Sequence, residues 1–158
     1  MRIVHITSLH CLEQILSSRR FIAASNNPFN ADAGLNCFDS KKAGNKNQVF
    51  ENDGAILVCH WSGAVANVGL NHAPPYKPNI LYDMLPWRCF IPVGSKGTNL
   101  RAVGFLLSER VMHDAIGKEI PFWLPNKFKN MIFRKRKLAL LRRLRSYLRD
   151  GACYLNVV

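Results

Sequence analysis

His5 and Thr7 stand at alternate positions near the start of the chain, inside an otherwise apolar run, Ile3-Val4-His5-Ile6. Alternate residues of a strand share a face, so the two side chains would be presented together at the end of a buried strand. Strand ends of open sheets are where small ligands are often held. The simpler alternative is a core histidine whose ring is satisfied locally. The five histidines (5, 10, 60, 72 and 113) show no metal-ligand spacing except His5 and His10, which a strand-to-helix switch would separate, so no metal is expected. Five cysteines (11, 37, 59, 89 and 153) are an odd number with no C-x-x-C. That argues against a disulfide framework and a structural zinc site, and a reducing cytoplasm is the expected compartment.

The elements that must position these groups follow from periodicity. Ser8 is placed to cap a helix with Leu9, Leu12, Ile15 and Leu16 on its apolar face, ended by Ser17 and Ser18. Phe21-Ile22-Ala23-Ala24 reads as a second strand. From Ser25 to Asn36 the chain is rich in Asn, Asp, Pro and Gly, and it reads as a loop that continues through Cys37 to Asn47. A loop this long is usually functional or disordered, and the functional reading is favoured because Phe29, Leu35 and Phe38 could tie it to the core. Gly54 to Trp61 is a buried strand. The prolines of 72–78 require a loop. Trp87–Val93 and Leu100–Leu107 read as strands joined by a glycine-rich turn. Val111–Ile116 is a short helix, and Ile120-Pro121-Phe122-Trp123 adds a final strand. Arg134 to Arg149 is a strong helix, with Leu138, Leu141, Leu144 and Leu148 as its stripe and Gly151 as its stop.

At 158 residues, 48% apolar and 20% charged, the chain has the composition of one globular domain of α+β class. Residues 1–126 would form the body, and 127–158 a basic amphipathic helix and tail packed on it. No apolar run is long enough to span a membrane, and no signal peptide is seen. The net charge of +12 is concentrated: Lys127 to Arg149 holds ten Lys and Arg and no acid, leaving twelve basic against ten acidic residues elsewhere. Such a segment attracts polyanions, with Arg134, Lys135, Arg136, Lys137, Arg142 and Arg143 as the contacts expected for nucleic acid. Its plainer role is to pack leucines on the body with arginines in water. A membrane-surface helix is disfavoured by the modest aromatic content of the tail.

His5-Ile6-Thr7, a short helix ending near Leu16 and then a strand resemble the opening of the ADP-ribosyltransferases, most closely the DarT-type enzymes that modify thymidine in single-stranded DNA. Leu85-Pro86-Trp87-Arg88, leading through a turn to Leu100-Arg101-Ala102-Val103-Gly104-Phe105-Leu106-Leu107-Ser108-Glu109-Arg110-Val111, is similar to a second segment of that family. The two stretches cover about a third of the chain. The resemblance implies a split, twisted β core and NAD as co-substrate. His5 would bond the adenosine ribose, and Thr7 and Ser8 would hold the nicotinamide amide. The loop carrying Asn27 and Asn30 would cover the nucleotide. Single-stranded DNA is the first acceptor to consider, with a neutralising partner protein if the chain is a toxin. Such a toxin would act in the cytoplasm, its own or that of a cell receiving it.

Breaking the nicotinamide–ribose bond builds positive charge on the sugar, which a nearby carboxylate stabilises. A cation suits the pyrophosphate, and an aromatic face suits the nicotinamide. Where the family places its glutamate this chain has Gly104, so Glu109 is the carboxylate expected, with Glu119 and Glu51 as alternatives. The family's arginine is also replaced: Arg88, Lys41, Lys42 or Lys46 would serve. A glycine expected after the first helix is Arg19 or Arg20. Trp61, Trp87 and Tyr82 read as packing rather than stacking platforms. Two rivals remain. One is a non-catalytic nucleic-acid-binding module with a degenerate nucleotide site. The other is a hydrolase using Cys37, whose segment Gly34-Leu35-Asn36-Cys37-Phe38 faintly resembles the papain-like nucleophile, with His60 or His72 as base.

Overall fold

Branching at Cβ in residues 3, 4 and 6 favours extended chain, and Arg2–Thr7 forms strand β1. The computed structural model describes residues 1–22, 34–39, 54–63, 88–92, 99–149 and 153–158. β1 lies inside a six-stranded antiparallel sheet with β3 (Gly34–Asp39), β4 (Ala55–Trp61), β5 (Arg88–Pro92), β6 (Leu100–Leu107) and β7 (Cys153–Tyr154). Their order across the sheet is β5-β3-β1-β4-β6-β7. A small parallel pair joins β2 (Arg20–Phe21) to β8 (Asn156–Val157). The helices are α1 (Leu9–Ser18), α2 (Glu109–Ile116), which runs into a 3-10 turn at Gly117–Glu119, and α3 (Asn126–Arg149). The fold is therefore mixed, with three helices and an antiparallel sheet among the described residues.

All three helices cover one face of the sheet. Ile3, Leu57, Cys59, Trp61, Leu100 and Ala102 meet Leu12 and Leu16 of α1, Met112 and Ile116 of α2, and Leu140 and Leu144 of α3 in one buried cluster. Each such aliphatic side chain contributes about 1.5–3 kcal/mol when withdrawn from water. Among the described residues the opposite face carries a small cluster, Val4, Ile56 and Val58 with Ile6 against it. β1 and β6 run the same way with β4 between them, and each leads through a serine into a helix. Ser8 accepts from Cys11 N–H and Ser108 from Val111 N–H, both at 3.2 Å, so both helices start at the same end of the sheet. Gly54 fits beneath the second cap with φ at +76°; a Cβ there would collide with Val111.

Several expectations change. Residues 34–39, read as loop, form β3, because pairing on both sides, to β1 and β5, offsets the weak strand propensity of Gly34, Asn36 and Asp39. The second strand is Arg20–Phe21 and stops before Ile22, while Ala23 and Ala24 lie outside the described residues. β5 and β6, expected to be joined by a turn, are separated in the sheet by β3, β1 and β4. Residues 120–123 form no strand: Pro121 lacks a donor, and Leu124 N–H closes a turn onto its carbonyl at 3.3 Å. α3 begins eight residues before Arg134, its first turn anchored by Phe128 and Lys129 N–H on the Pro125 carbonyl. Its buried stripe also differs. Leu140 and Leu144 are inside, while Leu138 is 53% exposed. Six residues turn an α-helix through about 600°, which leaves Leu138 about 120° from Leu144. The loop sequences within 25–33, 41–47 and 72–78 lie outside the described residues.

Candidate functional site: a cleft at the end of the first strand

The cleft at the end of β1 is built by its pairing. His5 and Thr7 stand opposite Leu57 and Ala55 of β4, on the helix-covered face. At the strand end the core stops short of the edge, so both side chains are only half-buried. The Ser8 cap then turns the chain into α1, which runs back across them. α1 ends at Arg19, whose φ of 57° is left-handed, and that reversal brings Arg20 and Phe21 beside His5. The Phe21 ring meets the imidazole edge-on, with centroids 4.8 Å apart and planes at 88°. The result is a cleft of about 410 Å³ lined by His5, Thr7, Gln14, Ser17, Ser18 and Arg20, with Cys11, Ile15, Phe21 and Ile22 as its apolar part. That size is within the range of small-molecule sites. His5 and Thr7 are thus brought together as expected. Ser8 is used as a helix cap. Asn27, Asn30, Glu51, Lys41, Lys42, Lys46, Tyr82 and Trp87 lie outside the described residues, and only the backbone of Arg88 is described, in β5.

The expected catalytic position lies elsewhere. β4 and β6 pair with a register shift between Val58 and Cys59, so that Val103 is an extra residue in β6. Simple alternation from buried Ala102 would turn Gly104 toward the helices. The bulge reverses it: Gly104 pairs with Val58, on the face of Val4, and a Cβ there would meet open space. A carboxylate at 104 would point away from His5 and Thr7. Glu109 is exposed in the first turn of α2, where its charge complements the helix N-terminus. Among the described residues lining the cleft there is no carboxylate. Arg20 is a cation lining this cleft, whereas the sequence reading looked for one further along the chain. The signal for it was local, since a reversal after a ten-residue helix returns its flanking residues to the strand it left.

A larger cleft, about 830 Å³, lies between the three helices. Two ion pairs border it. Arg143 contacts Glu13 of α1 at 2.8 Å and 3.2 Å, and Arg136 contacts Glu119 at 2.9 Å. Two of the six residues expected to meet nucleic acid are therefore engaged within the protein, and Glu119 with them. Lys137 is half-buried, and Arg134, Lys135 and Arg142 face solvent. Phe122 and Trp123 were expected in a strand and are instead among the most exposed apolar residues described, at 88% and 71%. The signal was the pair of prolines at 121 and 125, which isolates them from sheet and helix alike.

Cys37 is completely buried in β3, without the solvent access a nucleophile needs, and Trp61 is core. Burial, with a smaller contribution from Cys153, pushes the Cys59 thiol up to about 12. Among the described residues no group of three or more His, Cys, Asp and Glu is placed to hold a metal, and no helix is long and apolar enough to cross a membrane. Comparison with protein-family models, with curated proteins and with solved structures returned no match for this chain.

Proposed function

We propose that the chain is a nucleotide-binding protein of the ADP-ribosyltransferase kind, of toxin or effector type, that takes NAD as co-substrate and delivers ADP-ribose to nucleic acid, single-stranded DNA first. The observation that carries this reading is the convergence of His5, Thr7 and Arg20 on one cleft. Arg20 offers a guanidinium fork for a pyrophosphate, the imidazole and hydroxyls can bond ribose and amide groups, and Phe21 fixes the imidazole plane. In the reaction the bond between nicotinamide and ribose breaks, nicotinamide leaves with the bonding electrons, and an acceptor atom attacks the ribose carbon and sheds its proton. Glu109, just beyond the strand that carries the second resembling segment, is the carboxylate we assign to stabilising the cationic sugar. The exposed basic residues of α3 would hold the polyanionic acceptor.

A second reading is favoured by one observation: no carboxylate lines the cleft among the described residues. In that reading the cleft binds a nucleotide without transferring from it, and α3 makes the chain a nucleic-acid-binding module. Calorimetry with NAD, paired with an assay for released nicotinamide, separates the two. The transferase reading expects binding weakened at least tenfold by His5→Ala or Arg20→Ala, and turnover abolished by Glu109→Gln with binding retained. Binding without nicotinamide release supports the second reading, and no NAD binding by the unmodified protein overturns the first.

A further inference from the structure

The turn between the 3-10 element and α3 displays its aromatic residues instead of burying them. Pro121 and Pro125 bracket Phe122, Trp123 and Leu124, and the Leu124 N–H to Pro121 carbonyl bond places both rings at the tip of the turn. Exposures of 88% and 71% mean that these rings protrude, with little protein beside them. The patch continues onto the outer face of α3 with Phe128 and Met131, each about half exposed. Successive steps of three and four residues keep that face together through Lys135, Leu138, Arg142, Arg145 and Arg149, all exposed. Lys127 and Arg134 lie along one side of its apolar end and Lys135 one turn further on, and no acidic residue occurs between 127 and 149.

Leaving two large aromatic rings in water is unfavourable, and a contiguous exposed apolar patch marks a contact surface. A second copy is a poor occupant, because it would bring two strongly basic helices together. Stacked bases need a ring face in a groove with phosphate ligands beside it; these rings stand at a protruding tip, and the patch extends through a methionine and a leucine, which offer bases no flat face. A protruding aromatic tip followed along α3 by exposed Lys and Arg matches the boundary between acyl chains and anionic headgroups. There the rings enter the interfacial layer while long basic side chains reach the headgroups.

We propose that the tip carrying Phe122 and Trp123, with Phe128 and Met131 behind it, attaches the protein peripherally to a bilayer bearing anionic lipid. This goes beyond the transferase reading and does not depend on it. Attachment requires both parts. The rings provide depth, and each Lys or Arg near the surface raises the partition coefficient about fivefold on an anionic bilayer and hardly at all on a neutral one.

The test is sedimentation of the purified chain with vesicles of phosphatidylcholine alone, or of phosphatidylcholine and phosphatidylglycerol in equal parts, with tryptophan emission recorded in parallel. Phe122→Ser/Trp123→Ser removes side chains that are not in the core, and circular dichroism checks that it stays folded. Partition onto the anionic vesicles, a blue shift of tryptophan emission, and at least a tenfold loss of partition in the double variant are the expected results. Failure to partition overturns the proposal. So does partition that the double variant leaves unchanged, which would reduce the contact to charge. It also fails if the double variant loses affinity for a single-stranded oligonucleotide while its vesicle partition is retained, since the rings would then be a base-stacking platform.

Discussion

Arg19 occupies a backbone position that suits a different residue. With φ at 57° it adopts the left-handed conformation in which a Cβ costs roughly 1 kcal/mol and glycine costs almost nothing. A left-handed residue directly after a helix is the position glycine fills most readily. Arg19→Gly should be more stable than Arg19→Ala by about 1 kcal/mol in urea unfolding, since both lack the guanidinium and only the alanine keeps a Cβ in this conformation. Cys59 yields a second prediction at this scale. Its thiol is held up to about 12 by burial against an ordinary value of 9.0, so the folded protein keeps a proton that the unfolded chain releases above pH 9. Stability tied to this group is complete below that pH and is lost as pH rises toward 12. Urea unfolding repeated across that window should show the loss, and Cys59→Val, similar in volume and unable to ionise, should lose less.

At the scale of the element, α3 separates packing from contact. Its inner side places Leu140 and Leu144 in the core, and its outer side carries Leu138 and the exposed cations. Leu144→Ala should cost about 2–5 kcal/mol, because Leu144 is fully buried and the space it leaves is lined by several elements. Leu138→Ala should change stability by no more than about 0.5 kcal/mol. Equal losses from the two in chemical denaturation would mean that the helix is rotated from the position described. The bulge in β6 shows the same sensitivity in a strand. One extra residue, Val103, moves Gly104 to the far face and turns Phe105 and Leu107 toward the helices.

For the whole molecule, charge distribution decides which cations are available to a partner. Arg143 is held by Glu13 and Arg136 by Glu119, whereas Arg142 and Arg145 face solvent. If nucleic acid is held along α3, its affinity should fall linearly with salt on logarithmic axes, by about 0.7 in slope for each single-strand phosphate neutralised. Arg142→Ala/Arg145→Ala should therefore reduce that slope by about 1.4, while Arg143→Ala should alter it little. Fluorescence anisotropy with a labelled single-stranded oligonucleotide across a salt series measures both. The larger cleft between the helices lies beside these ion pairs, and His5 and Thr7 line a different one.

Local sequence was sufficient for β1, α1, β4 and β6, because each carries its own signal: branched residues, an apolar face at helical spacing, or a serine cap with a free N–H within reach. It was sufficient too for placing His5 and Thr7 on one face, since alternation is intrinsic to a strand. What depends on partners far along the chain could not be read that way. β3 is a strand because two neighbours pair with it, and Leu138 and Leu140 exchange inside and outside according to how α3 docks. Gly104 faces away because β6 slips one residue against β4, and Arg20 joins His5 because α1 reverses in a left-handed turn. Propensity and period act over a few residues. Sheet register, helix rotation and the meeting of His5 with Arg20 are set by pairing and packing, which only the folded chain brings together.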